Sequence, residues 1–365
     1  MARFLQQYTI ISINLHHHKD ISMPMNPDKH PFTPTLLRWY AANGRDLPWR
    51  HTSDPYPIWL SEVIMQQTRI SQGMAYWKRF MDRFPTVAHL AEAEEDEVLR
   101  LWQGLGYYSR ARNLHAAAKQ VVAAGGFPHS VAGLRELKGV GDYTACAIAS
   151  FAFGEPAAVV DGNVYRVLSR YFGIDTPIDS SEGKKAFKQL AQDLLATDTP
   201  ADYNQAIMDF GALVCTPAAP SCDRCPLQES CEALRTHRTG TLPVKAKRTV
   251  QRKRHLIYIY IRHKGETAFR KRPLGDIWAG LWEPLLIESD ELPPVEGHLL
   301  LLTKGVRHQL THQDITADFY LWEVDERPPL PAGYQWMKEE EAAGYGHSRL
   351  IDILLERLGE FVPEP

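Results

Sequence analysis

The hydrophobic period of this chain changes once, and that change constrains the fold more than any single motif. Over residues 31–235, apolar side chains recur at helical spacing in segments such as "TPTLLRWYAA", "QGMAYWKRFMDRF", "EDEVLRLWQGLG", "RARNLHAAAKQVVAAGG", "DYTACAIASFAF" and "NVYRVLSRYFG". No strand-like alternation interrupts them. Beyond residue 255 the period falls to two. "HLIYIYIRHKGETAFRKR" reads as a β-hairpin turning at Lys264 and Gly265, "DITADFYLWEV" as a further strand, and "HSRLIDILLERL" as a closing amphipathic helix. Between the two regimes, "RTHRTGTLPVKAKRTVQRKRH" carries eight Lys/Arg and no acid, which reads as an extended linker or a basic strap along a polyanion. The expected organisation is a poorly ordered extension over 1–30, an all-α domain over 31–235, a basic linker over 236–254 and a smaller α+β domain over 255–365. A chain of 365 residues is long enough for two such cores.

The net charge of −3 argues against a wholesale polybasic nucleic-acid binder but leaves room for a local basic face. No apolar run reaches the length of a membrane span; the longest, 143–154, is a core helix by length. The short apolar run 8–15 is followed by a histidine triplet and no small-residue cleavage site, so a cytoplasmic protein is expected.

Four of the five cysteines, Cys215, Cys222, Cys225 and Cys231, fall within seventeen residues, "CTPAAPSCDRCPLQESC". A pair of disulfide loops is one reading, but clustering of this kind in an intracellular-looking chain favours metal. The gaps of six, two and five wrap one compact centre, whereas zinc sites usually pair two short-spaced couples across a longer loop. Four thiolates around an iron–sulfur cluster suit that spacing better than zinc, although ligand softness permits either. Cys146, among small residues, reads as a packing residue.

"PIWLSEVIMQQT" (57–68) sets Glu62 inside an apolar helix, with Pro57 suited to the first helical position. Glu62 is either a solvated first-turn glutamate favoured by the helix dipole or a carboxyl held among apolar neighbours for its chemistry. "LKGVGDYTA" (137–145) is a Gly-x-Gly turn opening onto a helix. Gly139 and Gly141 there make either a simple interhelical turn or an anion site for a DNA phosphate. Eighteen residues after Tyr143, Asp161 ends the apolar "AAVV" just before a helix, where an N-cap role is the plain reading.

"LPWR" (47–50), "WLSEVIMQQT", "GLGYYSRARNLH" (104–115), the Gly-Val-Gly turn, "VDGNV" and the four-cysteine run follow one another in the order of a helix–hairpin–helix DNA glycosylase. The chain resembles the adenine DNA glycosylases, which remove adenine mispaired with 8-oxoguanine; the resemblance is dense over 33–235 and looser through the C-terminal domain. It implies that Glu62 protonates adenine at N7, that Asp161 stays ionised to stabilise the sugar cation, and that Tyr143 and Asn163 line the same pocket. Cleaving an N-glycosidic bond needs that pair of roles, and an apolar setting should keep Glu62 protonated.

Related glycosylase/lyases carry a lysine where this chain has Tyr143, and a phenol cannot form a Schiff base, so a monofunctional enzyme is implied. The resemblance further implies that Gln67 and Tyr107 wedge into the duplex where the adenine leaves the stack, and that Arg50 and the Gly139–Gly141 turn contact DNA. It implies one 4Fe-4S cluster on the four cysteines, and a Nudix-like C-terminal domain in which Thr311 and His312 read the lesion. The implied partner is double-stranded DNA carrying A:8-oxoguanine or A:G mispairs, bound by a monomer with no membrane involvement. "WAGLWEPLL" (278–286) fits the Nudix-like pattern, but the full hydrolase signature is missing, so pyrophosphate hydrolysis is not expected. Two positions depart from the family: Leu310 stands in place of phenylalanine in the recognition loop, and Lys138 in place of proline before the Gly-Val-Gly.

Overall fold

The computed structural model describes residues 31–246, 251–294 and 297–360; the extension expected over 1–30 lies outside the described residues. Its first part is helical, as the period requires: α1 (Phe32–Asn43), α2 (Pro55–Ile64), α3 (Ile70–Arg83), α4 (Val87–Glu92), α5 (Glu95–Trp102), α6 (Ser109–Ala123), α7 (Val131–Arg135), α8 (Asp142–Phe153), α9 (Gly162–Phe172), α10 (Ser181–Asp193), α11 (Pro200–Leu213) and α12 (Glu232–Arg235). These helices build two apolar cores. One gathers Trp59, Leu60, Phe80, Trp102 and Leu114 from α2 to α6. The other gathers Phe32, Val167, Leu168, Phe187, Tyr203 and Phe210 from α1 and α9 to α11.

Helix α8 belongs to both. Ala145, Ile148 and Ala149 face the first core, Cys146 and Ala147 the second. Small side chains on every face let a helix lie buried on all sides, which is why "TACAIAS" carries no polar stripe. Tyr143 of α8 and Asp161, just before α9, come close to Glu62 in the C-terminal half of α2 where the two cores adjoin.

Beyond the linker a mixed sheet forms from β1 (Arg252–His263), β2 (Glu266–Lys271), β3 (Trp282–Glu288), β4 (Leu300–Gln309), β5 (Gln313–Glu323) and β6 (Tyr334–Lys338), followed by α13 (Glu339–Gly344) and α14 (Arg349–Glu360). Strand order is β4-β5-β1-β3-β2-β6, with β1 and β5 parallel. Both faces of β1 are buried, Leu256, Tyr258 and Tyr260 on one and Ile257, Ile259 and Ile261 on the other. The hairpin turns at Lys264 and Gly265, both left-handed (φ 48° and 81°).

Two expectations are corrected. Helix α2 starts at Pro55, not Pro57, because Asp54 caps it by accepting the Tyr56 N–H at 2.9 Å. The first half of the linker is docked rather than extended: Leu242 is buried, Arg170 Nε donates to its carbonyl at 3.0 Å, and Val244 O accepts from Ile178 N at 3.0 Å. Its last residues, from Arg252 on, already belong to β1.

The two domains are packed together. Leu281, 2% exposed, sits in the first helical core, which contributes roughly 2 kcal/mol to docking. Around it, Tyr108 Oη donates to His347 O at 3.1 Å and Gln103 Nε2 to Asp352 Oδ1 at 2.6 Å.

Candidate active site and nucleic-acid interface

Glu62 lies on α2 between buried Ser61 and Val63, and its own side chain is only partly exposed. Tyr143, the second residue of α8, donates its hydroxyl to Glu62 Oε2 at 2.8 Å. Burial pushes the Glu62 carboxyl up to about 7; the Tyr143 hydrogen bond and Arg50 pull it down, and Asp161 pushes it further up. The Tyr143 phenol itself is held well above its usual range by burial and by the two carboxyls. It stays a neutral donor.

Asp161 is the N-cap of α9, as the plain reading had it, and lies close enough to Glu62 to push the Glu62 pKa up. Its carboxylate accepts from Asn163 N at 2.8 Å, Val164 N at 2.8 Å and Asn163 Nδ2 at 2.7 Å. Burial raises its pKa, while those hydrogen bonds and Arg166 oppose the rise. Asn163 Oδ1 in turn accepts from Arg166 Nη2 at 2.8 Å, and Arg166 Nε donates to Cys215 O at 2.7 Å. A chain of hydrogen bonds thus runs from Asp161 to the cysteine loop, which the sequence reading did not foresee.

Arg50 has an internal partner as well: its guanidinium donates to both oxygens of Asp209 at 2.8 Å, and Asp209 is fully buried. Arg45 joins the same carboxylate through its backbone N–H at 2.9 Å and its Nε at 2.8 Å. Asp209 was missed, although an acid inside the apolar "YNQAIMDFGALV" carries the same signal that singled out Glu62.

The four cysteines line one cavity, walled by Val167, Tyr171, Phe210 and Leu227. Burial raises the thiols of Cys222 and Cys231 and takes Cys225 up to about 11. Arg170 Nη1 lies 3.5 Å from Cys215 Sγ. Among the described residues, no three His, Cys, Asp or Glu side chains converge on a point that could hold a single metal ion. A ring of soft ligands around one apolar cavity, with a cation at its edge, fits an anionic iron–sulfur cluster.

At the surface, Gln67 and Tyr107 are both exposed and both left-handed, with φ of 58° and 46°. Side chains other than glycine seldom adopt that conformation, which the surrounding structure must hold in place. In the hairpin between α7 and α8 only Gly139 is left-handed (φ 76°), and a Cβ there would meet Asn113 at 2.5 Å. Gly141 is extended (φ −90°, ψ −179°), and a Cβ there would meet nothing within 4 Å.

In the C-terminal domain Thr311 and His312 are exposed at the β4–β5 turn. They line a cleft between the domains together with Tyr107, Tyr108, Trp278 and His308. Thr311 Oγ1 and Tyr107 Oη are hydrogen-bonded at 2.5 Å, so the expected lesion reader and the expected wedge already touch.

Comparisons with known proteins match both domains. Residues 60–193 match the family described as HhH-GPD superfamily base excision DNA repair protein, and residues 257–357 match the NUDIX domain. The chain is 33% identical to the adenine DNA glycosylase of Mus musculus, covering 86% of this chain and 75% of that protein. It is 34% identical to that of a Buchnera aphidicola subspecies, covering 77% and 83%. Against the Arabidopsis thaliana adenine DNA glycosylase it is 38% identical over 70% of this chain, but spans only 47% of that relative's length. Among solved structures, a thermostable thymine-DNA glycosylase superposes with a TM-score of 0.53 at 31% identity, over 56% of this chain and 95% of that one. An endonuclease III–DNA complex, at 21% identity and a TM-score of 0.50 over 59% and 99%, shares the fold. Matched in both domains, and covering 75% and 83% of two relatives at 33% and 34% identity, the chain belongs to the adenine DNA glycosylase family, within the helix–hairpin–helix base-excision repair superfamily.

Proposed function

We propose that the chain is a monofunctional glycosylase that hydrolyses the N-glycosidic bond of adenine opposite 8-oxoguanine, and opposite guanine. The burial of Glu62 beside Tyr143 and Asp161 carries this reading, because burial makes it a carboxyl that keeps its proton near neutrality next to a second carboxylate. In the proposed reaction the adenine leaves the stack and enters the site where the two helical cores adjoin. Glu62 gives its proton to N7, the C1′–N9 bond breaks with the electron pair going to the base, and Asp161 faces the sugar cation. Water adds at C1′ and its proton returns to Glu62. Without a lysine at Tyr143, no Schiff base forms and the strand stays intact.

Cys215, Cys222, Cys225 and Cys231 would hold one 4Fe-4S cluster, which supplies no acid or base and orders the loop that Arg166 ties to Asn163. The deciding experiment is single-turnover base release from duplexes carrying A:8-oxoguanine, A:G, A:C and thymine glycol. Adenine release on the first two, without strand cleavage, supports the reading. Thymine glycol release with strand cleavage supports a pyrimidine glycosylase/lyase instead, and binding without release supports a non-catalytic mispair sensor.

A further inference from the structure

One guanidinium joins the loops that carry the left-handed Gln67 and Tyr107. Arg110, the second residue of α6, donates from Nη1 to Val63 O at 2.9 Å, Ile64 O at 3.2 Å and Gln66 O at 2.7 Å. From Nη2 it donates to Leu105 O and Gly106 O, both at 3.3 Å. Gln66 and Gly106 immediately precede Gln67 and Tyr107. The two loops are about forty residues apart in sequence and meet at this one side chain. We propose that Arg110 is a positioning residue that sets Gln67 and Tyr107 at the fixed spacing needed to extrude the target base; the inference rests on their wedge role under the proposed function.

The chemistry of arginine suits the task. Its planar fork presents two separate Nη groups, one to each loop, and a lysine ammonium donates from a single point. The cation also sits on the last-turn carbonyls of α2, the favourable end of the helix dipole, so the helix that carries Glu62 is held by the same group. The guanidinium stacks 5.0 Å from the Trp102 ring and lies 5.8 Å from that of Tyr107, which fixes its plane. Burial lowers its pKa to about 10, with Tyr107 opposing, so it remains cationic at neutral pH. Carbonyls next to left-handed residues are the groups that such a cation can restrain, since freeing either loop lets Gln67 or Tyr107 relax to the commoner right-handed region.

The test uses Arg110→Lys in the full chain, made both in the unaltered background and in one carrying Gln67→Ala with Tyr107→Ala. Extrusion is read by fluorescence of 2-aminopurine at the adenine position opposite 8-oxoguanine, and chemistry by single-turnover adenine release and its pH profile. In the unaltered background we expect mispair binding and thermal stability close to the parent, a loss of the fluorescence rise, and about a hundredfold slower release, the scale for a misplacement of about 1 Å. The pH midpoint of the rate, set at Glu62, should not move. In the wedge-less background the same substitution should cost little more, because its effect passes through side chains already removed. A full hundredfold loss there, a shifted pH midpoint, or normal extrusion in the lysine variant overturns the proposal. Should the lysine variant fold poorly, Arg110→Gln, which can still donate to one loop, gives the same comparison. Failure of the unaltered chain to release adenine would instead refute the proposed function, independently of Arg110.

Discussion

Tyr143 Oη donates to Glu62 Oε2 at 2.8 Å across 81 residues of sequence, joining the hairpin helix α8 to the end of α2. That contact opposes the burial that raises the pKa of the carboxyl proposed as general acid. With the Glu62 pKa at about 7, the protonated fraction falls as pH rises through neutrality. Single-turnover adenine release should therefore decline above about pH 7 with one proton's slope. Tyr143→Phe removes a hydrogen bond that lowers the pKa, so the descending limb should move to higher pH. A midpoint that moves down would count against the assignment.

Glu62→Gln should abolish adenine release while mispair binding persists, and it should also stabilise the fold at neutral pH. The folded pKa lies above the ordinary carboxylate value, so the fold disfavours the charged form. The resulting penalty is absent below about pH 4, grows as pH rises toward 7 and is constant above. The amide carries no such penalty, so the gain should reach about 1–3 kcal/mol at pH 8 and vanish at low pH. Urea denaturation of both proteins at pH 4.5 and pH 8 measures it; equal gains at the two values would contradict the shifted pKa.

Asp209→Asn leaves Arg45 and Arg50 without their carboxylate. Removing one partner of a buried charge pair costs about 3–5 kcal/mol, and the partial exposure of Arg45 puts the expected loss near the lower bound. Chemical denaturation tests this directly. A change below about 1 kcal/mol would mean that the pair behaves as a surface ion pair.

Purified without exposure to oxygen, the protein should be yellow-brown and carry about four irons per chain, as one cluster on four thiolates requires. Cys225→Ser should lose both colour and iron, since Cys225 stands with the other three cysteines around the one cavity. Stoichiometric zinc in a colourless protein would replace the cluster with the zinc reading of the same four ligands.

Thr311→Ala combined with His312→Ala should erode the preference for A:8-oxoguanine over A:G by about ten- to a hundredfold, the scale of a good base-edge contact. The chemical step on a fully bound A:G duplex should change far less, because Glu62 and Asp161 lie in the other domain. Removing the Thr311 hydroxyl also frees Tyr107, so Thr311→Ser, which keeps the contact, should retain more of the preference than alanine. An unchanged ratio in the double variant would show that the loop does not read the lesion.

Much of this molecule was legible along the chain. The shift from a period of 3.6 to a period of two divided it into a helical and a mixed domain, because burial repeats with the local backbone geometry. Glu62 and Asp161 stood out as carboxyls bordering apolar runs, and the cysteine spacing marked one centre, since each signal lies within a few residues. Tertiary structure decided what distant segments do to one another. It paired Arg50 with Asp209, 159 residues away, and it drew the first half of a polar linker onto α9. It also brought the loops before Gln67 and Tyr107 onto one guanidinium and set Thr311 against Tyr107. Hydrogen bonds to backbone carbonyls and ion pairs buried between helices carry no periodic trace in sequence. Their partners are chosen by how the two helical cores and the sheet pack, and only that packing removes the water that would otherwise satisfy them.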